Sequence, residues 1–174
     1  MTSGHGDRRE APFRTERLLG EKLAEEHLDA LAELHLDPEV SRHLGGTRTR
    51  AETEAYLAAA QSHWKRHGFG LWALRTASGD FAGRAGFRRT EIDAVPDIEI
   101  VYAFRRELWG QGIASEIASA LIANWRDCSL SDSLVGIVTL GNAPSRRVLT
   151  KVGFDHERDT TYRGAPVTLY RRAL

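Results

Sequence analysis

The stretch that decides the fold is Trp109-Gly110-Gln111-Gly112-Ile113-Ala114-Ser115-Glu116. Before it, Asp97 to Phe104 is a short β-type run; after it, Ile113, Ile117, Leu121 and Trp125 recur at four-residue steps, one face of a helix. Glycines between a strand and a helix let the backbone come close to a ligand. The first helical turn adds N–H groups with no intrahelical partner, backed by the positive end of the dipole. That geometry suits a pyrophosphate. A Walker loop is excluded, because no Gly-Lys-Ser/Thr is present. A dinucleotide fingerprint needs a third glycine where Ser115 stands, and an acidic residue at the far end of the next strand, whereas Asp132 precedes that strand. Taken alone, the segment also fits a helix-entry turn with no ligand.

Working outward, Gly70 to Leu74, Phe81 to Arg89 and Asp97 to Phe104 form an antiparallel meander, with turns at Ser78-Gly79-Asp80 and Ala94 to Pro96. Upstream lie a short strand from Arg17 to Leu23, a helix from Ala24 to His35 and a helical turn from Glu39 to Leu44. Thr49 then caps a helix from Arg50 to His67, which Gly68 stops. Downstream, Leu134 to Thr139 is an apolar strand and Pro144 to Val152 a helix. Phe154 to Tyr162 and Val167 to Arg171 close a hairpin around Arg163-Gly164. Helices first, then a meander, then β-α-β-α-β-β predict a mixed α/β domain. Residues 1–14 are expected as a loose arm and 15–174 as a single domain.

The composition narrows the partners. Among 174 residues, 24 cationic and 24 acidic groups cancel, so a charge-driven grip on nucleic acid or an anionic membrane is not expected. No run of about 18 apolar residues could cross a bilayer, and residues 1 to 10 lack the apolar segment of a secretory signal, so a cytoplasmic protein is expected. Cys128 is the only cysteine, which leaves neither an internal disulfide nor a multi-cysteine metal site. The cations are 21 Arg and 3 Lys, a skew that favours bidentate phosphate or carboxylate contacts, though genome composition gives the same skew.

Two further segments stand in order around the glycine turn: Asp97-Ile98-Glu99-Ile100-Val101-Tyr102 upstream, and Asn142-Ala143-Pro144-Ser145 with a trailing Lys151-Val152-Gly153-Phe154 downstream. Together the three resemble the GNAT superfamily of acetyl-CoA-dependent N-acetyltransferases, and more narrowly its branch of ribosomal-protein N-terminal acetyltransferases of the RimJ and RimL type. The resemblance runs from about Thr15 nearly to the C-terminus. It implies a central, mostly antiparallel sheet flanked by helices and splayed between the fourth and fifth strands counted from Arg17, Asp97–Phe104 and Leu134–Thr139. It implies acetyl-CoA as cofactor, a primary amine as acceptor (a peptide N-terminus or a small molecule), and commonly a homodimer.

Residue by residue, the resemblance implies that the backbone of Gly110, Gln111, Gly112, Ile113 and Ala114 cradles the CoA pyrophosphate, with Trp109 beside it. A backbone N–H near Val101 or Tyr102 would polarise the thioester carbonyl. Asn142 would bond the pantetheine or a water, Ser145 would sit near the sulfur, and Arg147, with Arg146 and Lys151, would meet the outer phosphates; a solvated helix face is the alternative for those three cations. Glu99 is the implied base, acting directly or through water, the alternative being a satisfied strand carboxylate. Glu116 matches a family position read as packing or hydrogen bonding. Two positions depart from the pattern: Val101 stands where this branch has Gly, and Leu149 where many members have a Tyr that protonates the leaving thiolate. Ser145 is then the candidate to donate a hydrogen bond or relay a proton.

The implied chemistry is direct attack by a neutral amine. Deprotonating an α-amine of pKa about 7.8 at pH 7 costs about 1 kcal/mol, against about 4.6 for a lysine near 10.4. A lightly equipped site suits the former. A module that binds acyl-CoA without turnover is the competing reading, and retention of Glu99, Asn142 and Ser145 argues against it. No metal is expected: His63 and His67 lie four apart, but no third ligand is evident. Trp64, Trp72, Trp109 and Trp125 are expected in the core or pocket wall, and Cys128 has no adjacent base to make it a nucleophile.

Overall fold

The computed structural model describes residues 11–126 and 131–174; the first ten residues of the expected arm, and Cys128, lie outside the described residues. β1 (Phe13–Arg14) and β2 (Leu18–Lys22) lead through a 3₁₀ turn at Glu25–His27 into α1 (Leu28–Leu36), α2 (Pro38–Ser41) and α3 (Arg50–His67). β3 (Leu71–Thr76), β4 (Phe81–Ile92) and β5 (Val95–Phe104) follow as the meander. Then come a 3₁₀ turn at Arg106–Leu108, α4 (Ile113–Arg126), β6 (Ser133–Thr139), α5 (Ala143–Lys151), β7 (Asp155–Tyr162) and β8 (Ala165–Ala173).

Local chemistry sets these boundaries. Thr49 Oγ1 accepts the Glu52 N–H at 3.3 Å while Glu52 Oε2 accepts the Thr49 N–H at 2.7 Å, a reciprocal cap that starts α3. Gly68, at φ +69°, ends it. Asp37 caps α2 by accepting from Glu39 N at 2.9 Å, so this helix begins before the Glu39 expected from sequence. The β4–β5 hairpin is longer than expected: Asp93 and Ala94 form a tight turn at φ 52° and 62°, and Val95 and Pro96 belong to the strand. Phe13 meets the ring of Trp72 edge-on at 5.3 Å, and burial of that contact holds β1 against β2.

The strands form one sheet in the order β1-β2-β3-β4-β5-β6-β8-β7, antiparallel except for β5 and β6. A helical crossover through α4 makes that pair parallel. Among the described residues the two strands pair at Glu99↔Val135 alone, and beyond that point they part. β5 alternates between two cores. Ile98, Ile100 and Phe104 pack with Ile113, Ile117 and Leu121 of α4 on one face. Val101 and Ala103 join Leu31, Leu34 and Leu57 of α1 and α3 on the other. Each such buried aliphatic side chain contributes roughly 1.5–3 kcal/mol, so both helical layers are clamped to the strand that borders the gap.

Candidate functional site

Where β5 and β6 part, a cleft of about 660 Å³ opens. Tyr102, Ala103 and Phe104 line it from the end of β5. The turn supplies Trp109, Gly110, Gly112, Ile113 and Ala114, the start of α5 supplies Asn142, Ser145, Arg147 and Lys151, and the segment after α2 supplies Arg42, His43 and Leu44. Most of the residues picked out by sequence are therefore brought together. Glu99, Val101 and Gln111 are not on the wall, and the Gln111 side-chain amide donates instead to Glu107 O at 2.6 Å. Arg146 is also off it, whereas Arg147 and Lys151 are on it, so the two faces of α5 separate the candidate phosphate contacts.

The glycine turn has the geometry its sequence predicts. Gly110 and Gly112 sit at φ +73° and +77°, where an L side chain is strained. The first helical bond of α4 runs from Glu116 N to Gly112 O at 3.0 Å, so the N–H groups of Ile113, Ala114 and Ser115 have no intrahelical acceptor. Arg17 braces this turn: its Nη1 donates to Gln111 O at 2.7 Å and its Nε to Glu116 Oε2 at 2.6 Å. Burial raises the Glu116 pKa, but hydrogen bonds from Thr15 and Arg17 outweigh it and hold the carboxyl below its ordinary value. Glu116 is thereby committed to joining the turn before β2 to α4.

At the opposite wall Asn142 Oδ1 caps α5 by accepting the Ser145 N–H at 3.2 Å, and its Nδ2 has no protein partner among the described residues. Ser145 Oγ lies 2.9 Å from Tyr102 Oη. Burial pushes the Tyr102 phenol up to about 12, against the lowering by Ser145, so the pair is fully protonated at neutral pH. From sequence, only the main chain of Tyr102 has an expected role. Strand alternation was the available signal, since Tyr102 shares its face with Ile100 and so turns toward α4 and α5. Leu149 is 2% exposed and packs in the core, which keeps it out of the cleft.

Glu99 is 4% exposed at the foot of the gap. Its Oε2 accepts from Arg88 Nε at 2.7 Å; Oε1 has no protein partner among the described residues. Across the cleft, His43 is a lining residue that the sequence did not single out. Its Nδ1 bonds Thr139 Oγ1 at 2.8 Å, tying the segment after α2 to the far end of β6. Burial first, then the charge of Arg42, lowers its pKa. His63, by contrast, is a fastener: Nδ1 donates to Phe69 O at 2.8 Å and Nε2 accepts from Arg89 N at 3.0 Å, leaving neither nitrogen for a ligand.

The comparisons with known proteins agree with this architecture. The acetyltransferase (GNAT) domain family matches residues 17–155. YkkB of Bacillus subtilis is 28% identical over 137 residues, 78% of this chain and 80% of YkkB. An acetyltransferase from Agrobacterium tumefaciens superposes with a TM-score of 0.83 at 22% identity, covering 94% of this chain and 95% of its own. RimL, a ribosomal L7/L12 α-N-protein acetyltransferase solved with coenzyme A, superposes with a TM-score of 0.79 at 20% identity, covering 94% and 98%. At those identities the two structures speak to the fold. The family match, which spans most of the chain and includes the glycine turn, the parted strands and the cap of α5, places this protein in the GNAT family of acetyltransferases.

Proposed function

We propose that the protein transfers acetyl from acetyl-CoA to a primary amine by direct attack within a ternary complex. The observation that carries this reading is the parting of β5 and β6 after Glu99↔Val135, with the Tyr102–Ser145 pair on one side and the α4 N-terminus at the mouth. The residues fit the cofactor: two glycines free of Cβ atoms, unpartnered N–H groups on a helix of 14 residues, and Arg147 and Lys151 close by offer an anion site followed by a long slot. RimL, similar in fold, was solved with coenzyme A. The cofactor supplies an activated thioester; the chain binds, aligns and handles protons.

In this reading the N–H groups of Ile113, Ala114 and Ser115 hold the pyrophosphate, Arg147 and Lys151 meet outer phosphates, and Asn142 Nδ2 donates to the pantetheine. The main chain of β5 near Val101 and Tyr102, unpaired on the β6 side, donates to the thioester carbonyl and stabilises the charge that develops there. Ser145 Oγ donates a hydrogen bond toward the departing sulfur, backed by Tyr102. The thiolate of a thiol near 8.5 is a far weaker base than a phenolate whose phenol titrates at about 12, so this pair stabilises the thiolate rather than surrendering its own proton. Glu99, through Oε1 and a water, takes the proton of the attacking amine.

A thiol-release assay with acetyl-CoA and a panel of N-terminal peptides, amino acids, polyamines and aminoglycosides tests the reading. Turnover on at least one class is expected; tight acetyl-CoA binding with no turnover on any amine would favour a binding module instead.

A further inference from the structure

On the face of the sheet covered by α1 and α3, nitrogens without partners converge on one aromatic ring. Arg84, on β4 opposite Ala103, is 4% exposed, and among the described residues it makes neither a hydrogen bond nor an ion pair. Its Nε is buried and unpaired, and its guanidinium carbon lies 5.2 Å from the centroid of the Tyr56 ring. Arg48 stands 5.2 Å from the same ring; its Nη2 donates to Leu44 O at 3.1 Å, while Nη1 is buried with no acceptor. His35, fully buried, meets Tyr56 edge-on at 4.9 Å, with Nδ1 on Thr53 Oγ1 at 3.1 Å and Nε2 unpaired. The nearby acid, Glu99, acts on Arg84 through its charge, but the hydrogen bond it accepts, at Oε2, comes from Arg88.

Burying a guanidinium without a hydrogen-bonded partner is costly, and a buried donor without an acceptor calls for one. Tyr56 offers its ring face, which attracts cations but does not neutralise them. The cluster also adjoins the cleft. Ala103, which pairs in register with Arg84, and Leu44, whose carbonyl receives Arg48, both line it. Two residues along a strand span about 6.6 Å, so Ala103 and Val101 set a short spacing between the cluster and the stretch of β5 assigned to the acetyl group. Polyamines and aminoglycosides, being polycations, would be repelled there.

We propose that Arg84 and Arg48, with Tyr56 between them, recognise an oxyanion carried by the acceptor, so that the natural substrate is a small amine bearing a carboxylate or phosphate a few bonds from its nitrogen. This rests on the reading of the cleft as an amine acetylation site. An acceptor of this kind supplies the hydrogen-bond acceptor that the buried Arg84 Nε and Arg48 Nη1 lack, and turns the amine toward the gap between β5 and β6. Burial, then Arg84 and Arg48, lowers the pKa of His35 to about 3, so the imidazole is neutral beside the anion.

The test compares matched acceptors: an amino acid against its carboxamide, and phosphoethanolamine against ethanolamine. The wild type should favour one anionic member at least tenfold in kcat/KM, which also tells carboxylate from phosphate, and Arg84→Met should bring the ratio close to one through KM. In parallel, glycolate and inorganic phosphate, which lack an amine, are titrated calorimetrically. Saturable binding of at least one to the wild type and loss of it in Arg84→Met are expected, together with a Tm raised by several degrees, because an apolar side chain then replaces an unpaired buried charge. A preference for neutral or polycationic amines, a ratio unchanged in the variant, or absence of anion binding by the wild type would overturn the inference. Anion binding that depends on Arg84, with no acetyl transfer to any amine, would overturn the transferase reading and leave the anion site standing.

Discussion

Gly112→Ala isolates what the glycine turn does. At φ +77° the added methyl meets no packed neighbour, the nearest atom being Arg17 Nη2 at 3.8 Å, so the cost to folding is backbone strain of roughly 1–2 kcal/mol. For a chain of this length that lowers Tm by about 2–8 °C and leaves the protein folded. Gly79 is the matched control. It sits at φ +89° with open space around it, in the turn between β3 and β4 and off the cleft wall, so Gly79→Ala carries the same strain. If the pyrophosphate rests on the α4 N-terminus, the methyl at Gly112 displaces at least one charge-assisted hydrogen bond, about 1.5–3 kcal/mol, or roughly a 10- to 150-fold rise in Kd for acetyl-CoA. Gly79→Ala should leave Kd within about twofold, the usual tolerance for a distant site. Scanning calorimetry confirms equal destabilisation and titration calorimetry gives both Kd values. Equal affinities in the two variants would refute the placement of the cofactor.

Three further outcomes follow from the site. Tyr102→Phe and Ser145→Ala should each lower kcat by about 2- to 10-fold, the worth of one hydrogen bond, and the double variant should lose less than their product, because the two hydroxyls act through one contact; strict additivity in single-turnover kinetics would separate their roles. Glu99→Gln should change the acidic limb of the kcat/KM profile, and an identical profile would remove Glu99 from proton transfer. His35, normally near 6.5 when unfolded and held to about 3 when folded, is protonated first in the unfolded chain, so stability falls as pH drops below 6.5; from pH 7.5 to 5.0 it should cost about 2 kcal/mol. Urea unfolding of the wild type and His35→Gln at both pH values measures this, the variant showing the smaller loss.

Much of the fold was legible locally. Thr49, Gly68 and the Ser78-Gly79-Asp80 turn act through neighbours a few residues away, so their residue types announce their structure. Boundaries slipped where a distant partner decides. β1 exists because Phe13 reaches Trp72, and β4 and β5 extend to Ile92 and Val95 because each pairs with the other. The candidate site divides the same way. Its glycine turn, Asn142 and Ser145 lie in ordered motifs, whereas the Tyr102 hydroxyl, His43 and the Arg48–Arg84 cluster have no motif of their own.

By itself the sequence determined the order of helices and strands from β2 onward, the glycine turn ahead of α4 and the charge balance. Those depend on residue type and short-range spacing. Only the tertiary structure decided that β5 and β6 pair once and then part, that Ser145 meets Tyr102 across 43 positions of chain, that Glu99 is tied to Arg88, and that two arginines lie against one tyrosine ring, Arg84 with no hydrogen-bonded carboxylate among the described residues. Contacts between residues far apart in sequence depend on how two helical layers clamp a sheet, and no local pattern of side chains encodes that distance.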